Sequence, residues 1–226
     1  MLIRWLPLLA GVIPVLAGTL AHWLGAHNGV LPSCNPWLDG CTSISATGRH
    51  PPGSYLFRAV HMPYATILAV IWYFCSAWLA VLCGNGHQAK IRTMLIGGVV
   101  AAISLIVYVT FLGTSEPIYE FMRRFGIYGY FLGTATAQLM LSLSLAGFAT
   151  QNDALDLKRL AWLMLALVCL PFVLGILNLV LKVVVDDYGA GQNRIEWITN
   201  LAMQIWFVLL YIAWRRTGFR VAVTLA

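Results

Sequence analysis

Charge is scarce in this sequence. Among its 226 residues are 14 Lys and Arg and 8 Asp and Glu, together 10%, whereas soluble domains give about a quarter of their positions to these four types. So few charges cannot cover a water-facing surface, and an ordinary soluble domain is excluded. The charges are also clustered: stretches 5–38, 59–89, 93–115, 125–152, 160–181 and 197–214 contain none. A bilayer-crossing helix needs about 20 mostly apolar residues. Five stretches meet that length outright, and the sixth reaches it with Glu196 at the interface.

Other absences limit the chemistry. No ionisable side chain falls at mid-span, which argues against a proton- or sodium-coupled transporter, whose path needs such groups at membrane depth. There is no Gly-x-Ser-x-Gly elbow, so Ser43 and Ser45 lack the local signature of a serine nucleophile. The five histidines form neither His-x-x-x-His nor His-Glu-x-x-His, so no zinc site is supported; metal and cofactor remain unassigned. No repeat of 20–50 residues and no low-complexity tract is visible. The net charge of +6 comes from bases that flank apolar segments, as in helices anchored beside anionic headgroups, and not from the surface patch of a nucleic-acid binder.

What is present is apolar and segmented, with 60% hydrophobic residues. The expected fold class is all-α: a polytopic membrane protein, one six-helix bundle over residues 1–226, with spans 5–25, 62–82, 93–114, 126–148, 160–181 and 196–214. Roughly 100 positions remain for loops and termini, and the largest non-spanning piece is an ordered outer loop at about 26–60. The first segment, behind Arg4, reads as a retained helix, since only Ala17-Gly18-Thr19 resembles a cleavage pattern. Pro63 fits the first turn of the second span, and Pro171 should kink the fifth. Gly97-Gly98, Gly129 with Gly133, and Gly175 mark places for close helix contact, while Gln138, Asn178 and Gln204 suit interhelical hydrogen bonds.

With the N-terminus inside, the inner bases are Arg4, Lys90, Arg92, Lys158, Arg159, Arg215, Arg216 and Arg220. The outer bases are Arg49, Arg58, Arg123, Arg124, Lys182 and Arg194, partly offset by Asp186 and Asp187. This modest positive-inside bias puts both termini in the cytoplasm. The membrane is then a bacterial inner membrane or a eukaryotic ER or Golgi membrane.

In that orientation several reactive residue types reach one outer opening. Asp39, His50, Arg58 and His61 lie in the first outer loop or at the mouth of the second span. Glu116 closes the third span and Glu196 opens the sixth. A partly desolvated imidazole such as His61 can move protons near neutral pH; it can equally cap its helix, pair with a carboxylate or bind a headgroup. Arg49 and Arg58 suit bidentate phosphate binding or interfacial anchoring. Glu196-Trp197 also suits a helix start in the aromatic belt. Ser43, Ser45 and Thr47 place hydroxyls close to His50. Cys34 and Cys41 flank six residues on the oxidising face, a spacing that suits a disulfide-closed loop better than a close zinc pair.

The segment Thr42-Ser-Ile-Ser-Ala-Thr-Gly48, followed by Pro51-Pro52 and Tyr55-Leu-Phe-Arg58, resembles the Frag/DRAM/Sfk superfamily of membrane proteins. The Ser-Ile-Ser-Ala form and the cysteine-containing segment before it are most similar to the branch that remodels the lipid of GPI anchors. Thr114-Ser115-Glu116 resembles that family's serine-glutamate motif, and Glu196-Trp197 its acidic-aromatic start to the last helix. Members often carry a histidine shortly after the serine-glutamate motif, where this chain has Ile118-Tyr119-Glu120.

The resemblance implies lipid handling in the luminal or extracellular leaflet. In the GPI-remodelling branch it implies exchange of an acyl chain. Catalysis would then rest on His61 with Glu116 and Glu196, headgroup binding on Arg58 and Arg49, and support on Asp39, His50, Ser43 and Ser45. The partner would be a membrane lipid, either a phospholipid or a lipidated protein. The alternative is a non-enzymatic lipid-binding, scaffolding or regulatory protein.

Overall fold

The structure is a computed structural model that describes residues 3–185 and 187–221, apart from the Asn85 side chain. Asp186, one of the two acids expected to offset the outer bases, lies outside the described residues. A short 3-10 turn (Ile3–Trp5) leads into α1 (Leu6–His27). The outer loop carries a one-turn helix, α2 (Ile44–Thr47). Then come α3 (Gly53–Cys83), α4 (Gln88–Thr110), α5 (Pro117–Gln151), α6 (Leu155–Val184) and α7 (Gly189–Arg216). All six long helices are long and apolar enough to cross a membrane, and the chain is an integral membrane protein.

Each helix contains or closely matches an expected span, but most run further. Hydropathy marks the part that crosses hydrocarbon, whereas backbone hydrogen bonding carries a helix on into the interface wherever propensity allows. α3 therefore starts at Gly53, nine residues before the expected 62, because Gly53, Ser54, Phe57 and His61 already bury one face. The last part of the expected outer loop, Arg58 included, is thus helix. Pro63 consequently sits well inside α3, not in its first turn. α4 stops at Thr110, so Thr114-Ser115-Glu116 lies in the connection that follows it. α5, at about 50 Å, starts with Pro117 at its first position, where the missing amide costs nothing.

The long helices form a closed ring. α1 packs on α3, α3 on α4, α4 on α5, α5 on α6, α6 on α7, and α7 back on α1, while α3 also reaches α5 across the middle. Six antiparallel passes put the 3-10 turn and the end of α7 at one end of the bundle, where Trp5 stacks on Tyr211 at 5.1 Å.

Between the ends the axis is closed by aromatics. Trp72 meets Trp206 at 5.8 Å and Phe207 at 5.7 Å, all three fully buried. Gly98 makes room for Trp72, since a Cβ there would fall on the indole. The α4–α5 contact is the tightest. A Cβ at Gly133 would lie 2.6 Å from the Gly97 carbonyl oxygen and 2.9 Å from the Ala101 nitrogen, and one at Gly126 would lie 2.5 Å from the Tyr108 nitrogen. Small residues thus bring the backbones together, as expected where dispersion and not water exclusion drives association. Gly175 has nothing within 4 Å: the outer half of α6, with Phe172, Val173, Ile176 and Val183 exposed, faces away from the ring.

Candidate functional site

The site lies at the end of the bundle remote from the described termini, where the connection before α3 folds over the helix ends. Cys34 and Cys41 are joined by a disulfide. Inside that small loop Asp39 Oδ2 accepts from the Asn35 amide at 2.9 Å, so the Asp39 side chain closes a turn and remains exposed. The loop is pinned from three sides. His22 Nε2 donates to the Cys34 carbonyl at 3.1 Å, Asn193 Nδ2 donates to the Gly40 carbonyl at 2.8 Å, and Trp37 packs on Trp197 at 4.8 Å.

Next to it, the two motifs Thr42–Gly48 and Glu196-Trp197 are clasped together, although about 150 residues separate them. The Trp197 indole donates to the Thr42 carbonyl at 3.0 Å. Glu196 Oε1 accepts from the Ser45 amide at 3.2 Å, and the Ile44 amide is directed at the same carboxylate. Ser43 caps α2 by accepting from the Ala46 amide at 3.2 Å. The orphan amides of this one-turn helix are thus met by a serine and by a carboxylate from a different helix. Ser45 Oγ accepts from Arg49 Nη2 at 3.3 Å and lies 3.1 Å from Ser43 Oγ, so these hydroxyls belong to the outer face.

Glu196→Ala is expected to leave these amides without an acceptor and to lower stability by about 2–4 kcal/mol, at ~1–3 kcal/mol per unmet group. Glu196→Gln, which keeps one acceptor oxygen, should recover part of it. Thermal unfolding in detergent, with hydrogen exchange read over residues 42–48, checks both.

Beneath α2 is a cavity of about 40 Å³ lined by His61, Glu196, Tyr108, Tyr130 and Asn200, with Pro14, Ile44, Phe57 and other apolar groups. It accommodates water or a small polar group and not a whole headgroup. His61 is buried and stacked on Phe57 with centroids 3.9 Å apart. Its Nδ1 lies 2.8 Å from the Phe57 carbonyl. A carbonyl can only accept, so Nδ1 carries the proton and the lone pair of the neutral ring is on Nε2.

The cavity floor is polar. Tyr64 donates to Gln204 Oε1 at 3.3 Å, the Tyr130 hydroxyl joins the same group, and Gln204 Nε2 reaches Asn200 Oδ1 at 3.5 Å. Deeper still, Gln138 Nε2 donates to the Met203 carbonyl at 3.1 Å and Trp206 Nε1 to Ser142 Oγ at 3.0 Å. Gln138 and Gln204 thus bond between helices as expected, while Asn178 Oδ1 is buried without a partner.

Of the three expected acid–base residues the structure brings His61 and Glu196 to one cavity and leaves Glu116 outside it. Glu116 is exposed ahead of α5 and makes no side-chain cap. Glu120, four residues after Glu116, pairs with Arg124 at 2.6 Å and Arg123 at 3.4 Å on the surface of α5. Arg58 Nη2 donates to the Leu112 carbonyl at 2.6 Å, tying α3 to the chain beyond α4, with its Nε buried and unpartnered. Arg49 and His50 are exposed in the connection between α2 and α3 and do not line the cavity. Among the described residues no three His, Cys, Asp or Glu side chains gather to hold a metal ion.

Tyr64, Tyr108, Tyr130 and Asn200 are the site residues that reading the sequence missed. A signal was present: Glu196, Asn200 and Gln204 recur every fourth residue, as do Tyr130, Thr134, Gln138 and Ser142. Each set forms a polar stripe on one helix face. The chain matches no protein-family model, no curated protein and no solved structure.

Proposed function

We propose that this chain remodels lipid in the leaflet at the cavity end, by hydrolysis or transfer of an acyl ester on a phosphate-containing lipid or lipid anchor. The observation that carries this reading is the meeting of His61 and Glu196 in one small cavity among buried tyrosines. Polar and ionisable groups that converge between membrane helices mark sites of chemistry.

In the proposed reaction a water or a hydroxyl of the acceptor sits in the cavity. Its oxygen bonds to the ester carbonyl carbon as its proton passes to His61 Nε2. The Tyr108 hydroxyl and the Asn200 side-chain NH2, both from residues that line the cavity, stabilise the charge that develops on the carbonyl oxygen. The ester bond then breaks, and the proton passes from His61 to the departing alkoxide. Glu196 holds α2 over the cavity, and the exposed Arg49 just beyond α2 would take the phosphate.

The resemblance to the GPI-remodelling branch supports the same leaflet. The eight bases at the end bearing the termini, against six at the cavity end, support cytoplasmic termini and a luminal or extracellular cavity. A bacterial inner membrane and an ER or Golgi membrane both satisfy that orientation. The second reading, non-enzymatic lipid binding or scaffolding, is favoured by one feature: Glu196 and Arg58 both have protein partners.

The deciding experiment is mass spectrometry of defined phospholipids after incubation with the purified chain in liposomes containing a lyso-lipid acceptor. New acyl-exchanged or deacylated species are expected. Unchanged lipids around a folded protein that retains bound lipid would instead favour the second reading.

A further inference from the structure

Two cavities more spacious than the one under α2 lie at the opposite end of the bundle. They arise from how α7 stops. Thr217 and Gly218, with φ +65° at Gly218, reverse the chain, and the Phe219 amide returns to the Trp214 carbonyl at 2.9 Å, the closure expected of a glycine-terminated helix. Phe219 then packs on Trp214 at 4.5 Å, and Trp78 Nε1 donates to Thr217 Oγ1 at 3.1 Å.

The reversed tail stands off from α3 and leaves a groove of about 540 Å³ floored by Tyr73, Phe74, Ala77 and Val81. A second cavity of about 290 Å³ adjoins it, between Ile3, Arg4 and the tail, and Arg220 borders both. Among the described residues no acidic side chain lines either one. Arg4 Nε is buried there with no hydrogen-bond partner, an arrangement that costs free energy unless an acceptor arrives. The Arg4 guanidinium lies over the Trp5 ring at 5.9 Å, as Arg215 does over Tyr211 at 5.8 Å, and neither contact supplies a hydrogen-bond acceptor, whereas Arg216 donates to the Asp156 carbonyl at 3.0 Å.

We infer that this groove binds one anionic phospholipid, its acyl chain along Tyr73–Val81 and its phosphate between Arg4 and Arg220. The volume lies in the range of sites that enclose small ligands. The groove runs from an apolar α3 face to two arginines, the polarity sequence of a lipid from chain to headgroup. Trp78 lines the groove and holds the tail through its bond to Thr217. The site is independent of the cavity under α2 and stands whether or not the chain turns lipid over.

The test is native mass spectrometry of the purified full chain with dioleoyl phosphatidylglycerol or dioleoyl phosphatidylcholine, which share chains and differ in charge. Wild type should retain the anionic lipid about tenfold better. Arg4→Gln/Arg220→Gln should erase that preference, while Arg194→Gln, at the other end, should keep it. Ala77→Trp, which fills the groove with both arginines intact, should also release the lipid; if it does not fold, the double arginine variant decides alone. Excess inorganic phosphate should leave retention unchanged. Equal retention of the two lipids, an Arg194→Gln loss equal to that of the double variant, or displacement by phosphate would each overturn the assignment.

Discussion

His61→Phe is expected to lower lipid turnover by about 10²–10⁴-fold, the usual contribution of a positioned general base, while leaving the fold nearly intact. Phenylalanine keeps a flat ring that can stack on Phe57, which His61 meets at 3.9 Å, and fills much the same buried space. It loses the Nδ1 hydrogen bond to the Phe57 carbonyl, a cost of about 1 kcal/mol, and the Nε2 lone pair to which the proposed proton transfer is assigned. Thermal unfolding in detergent and mass spectrometry of liposomal lipids, run on one preparation, separate the two roles. A variant as stable as expected but equally active would remove His61 from the chemistry. Activity lost only in proportion to folded protein would give it a structural role alone.

Gly133→Leu is expected to cause the largest loss of stability, about 3 kcal/mol or more, towards the upper end for overpacked sites. The first added carbon alone would lie 2.6 Å from the Gly97 carbonyl oxygen. That neighbour is backbone, so no rotamer change relieves the clash and α4 must move away from α5. The displacement reaches the cavity, because Tyr108 of α4 and Tyr130 of α5 both line it. Gly175→Leu makes the matched control. With nothing within 4 Å of that glycine, the added side chain meets open space, and stability should change by about 0.5 kcal/mol or less. Unfolding midpoints of both variants in one detergent check the contrast; similar losses would mean that close α4–α5 approach is not what holds this pair.

The sequence showed part of this packing and concealed part. Gly97, Gly98 and Gly133 stood out as small residues at membrane depth and do mark close contacts, yet Gly175 reads the same in sequence and faces open space. Nothing local separates them, because a glycine's use depends on which helix lies opposite. Helix ends were misjudged for a related reason. Arg58 interrupts the hydropathy that marks hydrocarbon, but Phe57 and His61 lie one helical turn apart on a buried face, and that spacing belongs to the helix and not to the bilayer.

The candidate site divides the same way. His61 and Glu196 were legible because an ionisable residue beside an apolar run is conspicuous in so uncharged a chain. Glu116 was equally conspicuous and lies outside the cavity. Tyr64, Tyr108 and Tyr130 were not, since a tyrosine within an apolar run reads as membrane packing until its hydroxyl finds Gln204 on another helix, as for Tyr64 and Tyr130, or its ring lines the cavity, as for Tyr108.

From the sequence alone follow the all-α class, the six crossings and the alternation that puts both ends of the described chain on one side. Those depend on composition and length, which the bilayer's thickness converts directly into spans. Only the tertiary structure decided that α7 closes the ring on α1, that Glu196 and Trp197 hold Thr42–Ser45, and that Trp72 and Trp206 fill the axis. Each of these is a contact between residues far apart in the chain. In a membrane every apolar helix face is already solvated by lipid, so hydrophobicity cannot choose its partner. Close backbone approach and buried hydrogen bonds make that choice.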